Sequence, residues 1–187
     1  LREKDPPAGI ALGLGILTKW FPVLVLPTAW KSRPLRRFLL AAGAAALVVG
    51  VVWGGLALQN PDMIRASLFS QGVKGSWETV WALIDGSLKT GNFGPGIDHT
   101  APQSILSLEK PPASIPSWIT LIILGGIGLW ILLKSETRDA RQKLALVAVT
   151  MVLFFLWSPG YSPQWVLYTL PLVFLLFPLR EGILFGL

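Results

Sequence analysis

The chain has 187 residues, of which 52% are hydrophobic and 14% are charged, and its mean hydropathy is +0.60. Soluble domains carry about 25% charged residues, so this composition excludes an ordinary soluble domain and indicates a membrane protein. The formal net charge of +6 arises from short basic clusters beside apolar runs, which is typical of membrane proteins and not of nucleic-acid-binding proteins. The lack of cysteine and the single histidine exclude disulfides, thiolate metal sites and multi-histidine metal sites.

Five apolar segments predict an all-α, polytopic bundle of transmembrane helices. In chain order they cover residues 8–30, 38–58, 118–133, 144–157 and 165–179. A helix that spans the bilayer needs about 20 residues; the second segment has this length, the third is marginal and the last two are short. The chain begins in a charged linker and ends in what resembles the first turns of another helix. We therefore expect an internal piece of a larger membrane domain whose N-terminal part is missing.

The basic loops predict how the bundle is oriented. Residues 31–37 hold four basic residues and no acidic one, and residues 134–143 hold four basic and two acidic residues. Cytoplasmic loops of membrane proteins are enriched in Lys and Arg, so we expect both loops on the cytoplasmic side. Residues 59–117, with four basic and five acidic residues, and the turn at residues 158–164 are then expected to be external.

The first apolar segment is interrupted by Lys19 and Pro22 in the sequence LTKWFPVLVLP. Pro22 lacks a backbone donor and disfavours helical angles at Phe21, and unpaired backbone within a membrane is tolerated only against protein or a wet cavity. One arrangement is a full span with Lys19 near the bilayer midplane. The other is a re-entrant pair of short helices that enters and leaves on the same side. The balanced charges of the preceding LREKDPP leave both open, and the break at Pro22 favours the re-entrant pair.

The external stretch contains one clear amphipathic helix, in the sequence SWETVWALIDG at residues 76–86. Ser76 is a suitable N-cap and Gly86 a suitable C-terminal glycine. Glu78 and Asp85 lie off the apolar face and are most simply solvated. The apolar face has i, i+3, i+4, i+7 spacing and consists of Trp77, Val80, Trp81 and Ile84. We expect this helix to lie on the membrane surface or to pack over the bundle.

Lys19 is the first candidate functional residue. A charged side chain in the bilayer core costs about 2.5–3.5 kcal/mol on insertion scales, and such residues usually face a partner or a cavity. A phosphate suits a lysine that acts as a point charge, and a helix break can add backbone amides that donate to an anion. The simpler alternative is a lysine whose ammonium extends to the headgroup region.

The second candidate is SPGYSPQW at residues 158–165, between the last two apolar segments. Its simplest interpretation is a tight hairpin with polar turn residues. Its functional interpretation is a polar cluster of Tyr161, Ser162 and Gln164 that opens between helices, where the Gln164 amide can donate to and accept from sugar hydroxyls. The pair Asp98–His99 is interpreted as part of an ordinary loop. The chain has no Ser-His-Asp set, phosphate-binding loop, dinucleotide motif or zinc spacing.

Three stretches together resemble membrane glycosyltransferases of the GT-C superfamily. ALGLGILTKWFPVLVLPTAW, followed by a basic loop, is similar to their segment in which a lysine precedes an aromatic residue and a proline. WSPGYSPQWVLYTLP resembles their late Ser-Pro-Gln-aromatic motif, with Trp165 where tyrosine is more common. GSWETVWALIDGSLKTGNFGP resembles the external helix and loop of uncharacterised bacterial members. The chain looks most similar to bacterial polyprenyl-phosphate-mannose-dependent mannosyltransferases and related glycolipid-anchor mannosyltransferases.

The resemblance implies an inverting hexosyltransferase of the bacterial plasma membrane, with a GT-C-like fold. A hexose, expected to be mannose, would pass from a polyprenyl-phosphate donor to a glycan or lipid acceptor on the external face. Lys19 would bind the donor phosphate. The substrate-site candidates are Tyr161, Ser162, Gln164, Trp165, Trp77 and Glu78.

The resemblance also implies that the acidic catalytic motif lies in an external loop that would precede Leu1. No catalytic base is therefore assigned in this chain, and this piece alone is expected to be inactive. The residues indicate no cofactor, no metal site and no nucleic-acid partner, although the resemblance leaves a divalent metal ion open.

Two non-enzymatic interpretations compete with this one. A transporter or flippase for a lipid-linked or anionic substrate would also use broken helices and an intramembrane charge. Inverted internal repeats would favour it, and none is visible. A purely structural membrane subunit leaves Lys19 and SPGYSPQW without a role.

Overall fold

The computed structural model describes residues 5–73, 79–86, 98, 100–109, 113–158, 160–161 and 163–186, and within these ranges it is helical and contains no strand. The predicted all-α class is therefore confirmed. The elements are α1 (Asp5–Thr18), a 3-10 helix (Phe21–Val25), α2 (Leu26–Ser32), α3 (Leu35–Gln59), α4 (Pro61–Gly72), α5 (Val80–Ile84), α6 (Pro102–Leu106), α7 (Ser117–Lys134), α8 (Ala140–Trp157), a second 3-10 turn (Pro163–Trp165), α9 (Val166–Leu176) and α10 (Leu179–Gly186).

Three helices, α3, α7 and α8, are long and apolar enough to cross a bilayer, and α9 is a shorter apolar helix. Most of their large apolar side chains are exposed, as expected where lipid replaces water as the surrounding solvent. These helices make the chain a membrane protein. Helix α8 reaches 18 residues because its first turn takes in Arg141 and Lys143 from the basic loop, and it ends at Trp157.

The fifth apolar run is divided at Pro178. Helix α9 ends at Leu176, and Phe177 is extended, with φ −113° and ψ 150°. A proline disfavours helical angles at the residue before it, so the chain turns here and restarts as α10. The helix therefore ends three residues before the apolar run does.

Helices α1 and α3 lie side by side and run in parallel. A Cβ atom on Gly9 would lie 2.2 Å from the carbonyl oxygen of Ala41, and one on Gly13 would lie 2.8 Å from Cβ of Val48. Later residues of α1 thus meet later residues of α3. The two glycines allow a close backbone approach that no larger residue would permit. Because α1 and α3 run in the same direction, the chain between them must return to its starting level.

The two basic loops lie at the same end of the bundle, which we call the basic end. The ammonium of Lys31 donates to the carbonyls of Leu132 and Leu133 in the last turn of α7. At that level Arg141 Nη2 donates to the carbonyl of Leu176, 2.9 Å away. At the opposite end, Trp157 Nε1 donates to the carbonyl of Ser117, also at 2.9 Å. This grouping is the one that the charge pattern predicts.

The helix α5, predicted to be external, is shorter than its sequence pattern. Its N-cap is Thr79, whose Oγ1 accepts from the backbone N–H of Ala82 at 3.0 Å, and not the predicted Ser76, which lies outside the described residues. Gly86 follows the helix with φ +70°, so the predicted C-terminal glycine is confirmed. The stretch at residues 59–117 also contains α4, capped by Asn60, whose Oδ1 accepts from Met63 N at 3.1 Å.

Candidate functional site

The break in the first apolar segment falls at Lys19 and Trp20. Helix α1 ends at Thr18, whose Oγ1 donates to the Gly15 carbonyl at 2.8 Å, and the chain resumes in the 3-10 helix. Pro22 occupies the first turn of that helix, where its missing donor leaves no helical bond unmade. The two helical pieces therefore end and start cleanly around Lys19.

Both ends of this segment are held together by an ion pair. Arg33 Nη1 lies 2.9 Å from Asp5 Oδ1, and Arg37 Nε lies 3.7 Å from Asp5 Oδ2, with the Asp5 side chain only 10% exposed. The segment therefore starts and finishes at the basic end. This is the arrangement of the broken pair and not that of a single span.

Lys19 lies far from the basic end. The 14 residues of α1 rise about 21 Å at 1.5 Å per residue, and the return through the 3-10 helix and α2 covers about 20 Å. The hydrocarbon core of a bilayer is about 30 Å thick. Lys19 at the tip of the pair is thus nearer to the opposite boundary than to the basic end. It is exposed, and its ammonium has no hydrogen-bond or ion-pair partner in the described part of the chain.

The break packs against the SPGYSPQW sequence through an aromatic cluster. Phe21, 4% exposed, forms the core with Met151 and Phe155 of α8. Its ring centroid lies 4.7 Å from that of Trp165 and 5.3 Å from that of Tyr168. The two motifs singled out from sequence, separated by more than 130 residues, are therefore neighbours in the fold.

The candidate residues of the late motif differ in their surroundings. Tyr161 is half-buried, with its ring 6.3 Å from that of Phe155 and 5.9 Å from that of Trp165. Trp165 is also half-buried, whereas Gln164 is exposed in the second 3-10 turn. The other three candidates, Ser162, Trp77 and Glu78, lie outside the described residues.

Two acidic residues of the stretch at residues 59–117 have structural partners. Asp85 Oδ1 accepts from the backbone N–H of Ser114 at 2.7 Å, which ties the end of α5 to the chain that leads into α7. The position of Asp85 off the apolar face predicted a carboxylate that is simply solvated. This hydrogen bond shows that the prediction was wrong. Asp98 Oδ1 accepts from the backbone N–H and hydroxyl of Thr100 at 2.8 and 2.6 Å. This is a local turn bond, and it fits the interpretation of Asp98 as a loop residue; His99 is not described.

Helix α5, which the sequence predicts to be external, is hydrogen-bonded to the bundle beside the aromatic cluster. Trp81 Nε1 donates to the carbonyl of Leu156 in the last turn of α8, 2.8 Å away. Phe154 and Phe155, the two residues before Leu156, belong to the cluster. Helix α5 therefore lies close to the end of α8 that carries the site.

An apolar groove of about 320 Å³ runs along the bundle, from the level of the break toward the basic end. The return segment contributes Leu24 and Pro27, α7 contributes a face with Gly125 and Gly128, and α8 contributes Phe154 and Trp157. Trp20 packs beside the groove, since its ring lies 4.5 Å from that of Phe154 in the lining. This groove was not predicted from the sequence. Its nearest signal lies in LGGIGLW, where Gly125 and Gly128 leave space on one face of α7.

The described residues contain no group of three or more His, Asp or Glu side chains placed to hold a metal ion. The chemistry visible here is therefore that of one cation, neighbouring aromatic rings, a few hydrogen-bonding groups and an apolar groove.

The site and the bundle define a polytopic membrane protein with a re-entrant lysine-bearing helix pair. The model of Glycosyltransferase family 87 matches residues 1–159, and the chain belongs to that family. The match supports glycosyltransferase activity in general terms and includes the break, residues 59–117, α7 and α8. No curated protein and no solved structure gives a significant match to the chain.

Proposed function

We propose that the protein transfers a hexose, mannose by first preference, from a polyprenyl-phosphate donor to a glycan or lipid acceptor. The observation that carries the proposal is the position of Lys19. Lys19 lies at the tip of the broken helix pair, and its ammonium has no partner among the described residues. The adjacent Trp20 packs against Phe154, which lines the apolar groove. A phosphate attached to a long apolar chain has both features that this arrangement complements.

The groove supports a lipid-linked donor in preference to a soluble nucleotide sugar. Its lining is almost wholly apolar; within it, the Thr150 hydroxyl already donates to the Leu146 carbonyl at 2.8 Å. An isoprenoid chain can occupy such a surface without leaving polar groups unpaired, whereas a nucleotide would leave many. The donor would then enter from the bilayer with its phosphate at the level of Lys19.

Lys19 would act on the leaving group. The acceptor hydroxyl attacks the anomeric carbon, the bond from that carbon to the phosphate oxygen breaks, and the acceptor proton passes to a base. Negative charge grows on the departing phosphate, and a fixed cation stabilises that charge in the transition state. A direct displacement of this kind inverts the anomeric configuration. The base is assigned to no residue of this chain.

The late motif would bind the sugar. Gln164 is exposed and its amide can both donate and accept, and the ring of Tyr161 lies 5.9 Å from that of Trp165, the residue after Gln164. Ser162, Trp165, Trp77 and Glu78 complete the set of candidate contacts. We place residues 31–37 and 134–143 in the cytoplasm of a bacterial cell and the described external residues on the outer face, so that transfer takes place outside.

The test is transfer of labelled mannose from polyprenyl-phosphate mannose by the full-length protein that contains this chain, in liposomes. The Lys19→Ala variant should lower the rate by about 100-fold or more, the usual loss when one preorganised charge donor is removed, and Lys19→Arg should retain part of it. The matched control is Lys134→Ala, an exposed lysine at the basic end, which should leave the rate near that of wild type.

Two outcomes would contradict the proposal. An unchanged rate in Lys19→Ala would remove this residue from the mechanism. A wild-type protein that moves the intact labelled donor across the liposome membrane and transfers no sugar would favour the alternative of a transporter or flippase. Replacing mannose by glucose or galactose in the donor then ranks the hexoses.

A further inference from the structure

A second pocket lies at the basic end, on the opposite side of the bundle from Lys19. It has a volume of about 330 Å³ and is lined by Trp30, Lys31, Arg33, Leu35, Leu132 and Leu133. At about 30 Å³ per molecule of liquid water, it offers the space of roughly eleven waters. That is room for a phosphodiester group and part of its alcohol. We call it the basic-end pocket.

Lys31 is held in this pocket by the end of α7. Its ammonium donates to the carbonyls of Leu132 and Leu133, the second at 2.8 Å. These carbonyls belong to the last turn of α7, where a cation is favoured by the helix dipole. A lysine ammonium has three N–H donors, so one remains for a ligand. The bond to the helix end also fixes where the charge lies.

Arg33 supplies the second cation. Its Nη1 donates to Asp5 at 2.9 Å, which engages one of the five N–H donors of the guanidinium. Arginine suits phosphate because its planar donors can bind two oxygens at once. Among the described residues, Asp5 supplies the one carboxylate in contact with the cations of the pocket. Asp5 also lies 3.7 Å from Arg37. The pocket therefore retains net positive charge.

The remaining lining favours a lipid over a soluble anion. Leu35 and Leu133 are 62% and 60% exposed, and Trp30 is 48% exposed. Such side chains at a helix end meet acyl chains in a bilayer, and tryptophan is enriched at the boundary between headgroups and hydrocarbon. Basic pockets between transmembrane helices on the cytoplasmic side bind anionic headgroups.

We propose that the basic-end pocket binds the phosphate headgroup of an anionic membrane phospholipid. The ligand would bridge the ends of α2 and α7 and so hold the return segment against the bundle. This site is separate from the donor site at Lys19 and does not depend on which sugar, if any, the protein transfers.

The test uses the full chain in nanodiscs and the fluorescence of Trp30. Phosphatidylglycerol with brominated acyl chains, or phosphatidylcholine with the same chains, is added at equal mole fraction to a phosphatidylcholine bilayer. The quenching that is lost in the Trp30→Phe variant reports lipid at this pocket. One Lys or Arg near the membrane surface strengthens anionic-lipid binding about fivefold, so Trp30 should be quenched at a several-fold lower content of phosphatidylglycerol than of phosphatidylcholine.

Three variants separate the pocket from general surface charge. Lys31→Gln should reduce the preference for phosphatidylglycerol about fivefold. Lys31→Arg keeps the positive charge and should largely retain the preference for phosphatidylglycerol. The matched control is Arg36→Gln, which removes one positive charge from the same loop at an exposed residue outside the lining, and it should reduce the preference clearly less than Lys31→Gln does.

Three results would overturn the proposal. One is equal quenching of Trp30 by the two lipids in the wild type. Another is an equal loss of preference in Arg36→Gln and Lys31→Gln, since the cause would then be diffuse surface charge. The last is full displacement by soluble glycerol phosphate, which would assign the pocket to a soluble anion.

Discussion

Asp5 and Arg33 form an ion pair of 2.9 Å that joins the start of α1 to the turn before α3. The 27 residues between them therefore form a helical hairpin, with α1 as one arm and the 3-10 helix and α2 as the other. Lys19 lies at the tip of this hairpin. The depth of the candidate phosphate-binding residue is thus set by an ion pair at the other end of the bundle.

The first prediction concerns this ion pair. Asp5→Asn should lower the free energy of unfolding by about 1–2 kcal/mol, because a charge-assisted hydrogen bond is lost and partial exposure of Arg33 and Arg37 weakens its effect. A double-mutant cycle with Arg33→Gln, measured by denaturant titration in detergent, should give a coupling energy of about 1 kcal/mol. The matched control pairs Asp62 with Arg65, which are 3.9 Å apart and exposed, and their coupling should be close to zero. Equal coupling in the two cycles would mean that the Asp5–Arg33 pair does not stabilise the hairpin formed by α1, the 3-10 helix and α2.

The second prediction concerns the parallel contact of α1 with α3. Gly9→Ala puts a Cβ atom 2.2 Å from the backbone oxygen of Ala41, so the helices must separate. We expect the free energy of unfolding to fall by about 1–3 kcal/mol, the usual cost of overpacking. Gly43→Ala is the matched control on α3 because its Cβ atom would meet nothing within 4 Å. The measurement is the midpoint of thermal unfolding in detergent. Comparable midpoints for the two variants would argue against close packing at Gly9.

The third prediction concerns topology, and the absence of native cysteine makes it direct. Single cysteines at Pro7 and Pro34 should react with a membrane-impermeant thiol reagent from the same side, which we expect to be cytoplasmic. A cysteine at Ser107 should react from the other side. A fully spanning first segment would instead place Pro7 and Pro34 on opposite sides, so labelling of these two residues from different compartments would exclude the re-entrant pair.

Much of the helical framework could be predicted from sequence because apolar runs of sufficient length have few alternatives within a membrane. The all-α class, the break beside Pro22 and the grouping of the two basic loops follow from residue type and order alone. Helix α4 was not singled out, because PDMIRASLFSQG mixes polar and apolar residues without the length of a span. The start of α8 was placed at Leu144 because its first turn is charged, although an interfacial turn tolerates charge.

The candidate site could be predicted only in part, because its geometry depends on contacts between distant segments. Lys19 and Trp165 were identified separately, and only the packing of Phe21 against Trp165 at 4.7 Å places their motifs together. The direction of the first segment depends on the Asp5–Arg33 pair, which local charge counting could not reveal since LREKDPP is balanced. The groove arises between α7 and α8, and no single segment carries its pattern.

The fourth prediction concerns the apolar groove and separates the donor chain from the donor phosphate. Gly125 lines the groove, and a Cβ atom there would meet nothing within 4 Å. Gly125→Leu should therefore fill the space without disturbing helix packing. Filling it removes room for roughly three or four methylene groups, each of which contributes about 0.8 kcal/mol when buried. We expect the KM for a long polyprenyl-phosphate donor to rise at least tenfold with little change in kcat.

The neighbouring Gly126 provides the matched control for this substitution. A Cβ atom on Gly126 would also meet nothing within 4 Å, but this residue does not line the groove. Gly126→Leu makes the same chemical change one position along the helix, and the KM should stay near that of wild type. A donor shortened to one or two isoprene units should bind the wild type and Gly125→Leu alike, because it does not reach α7. If Gly125→Leu raised the KM equally for short and long donors, the groove would not hold the chain, and the apolar part of the donor would have to lie elsewhere on the bundle.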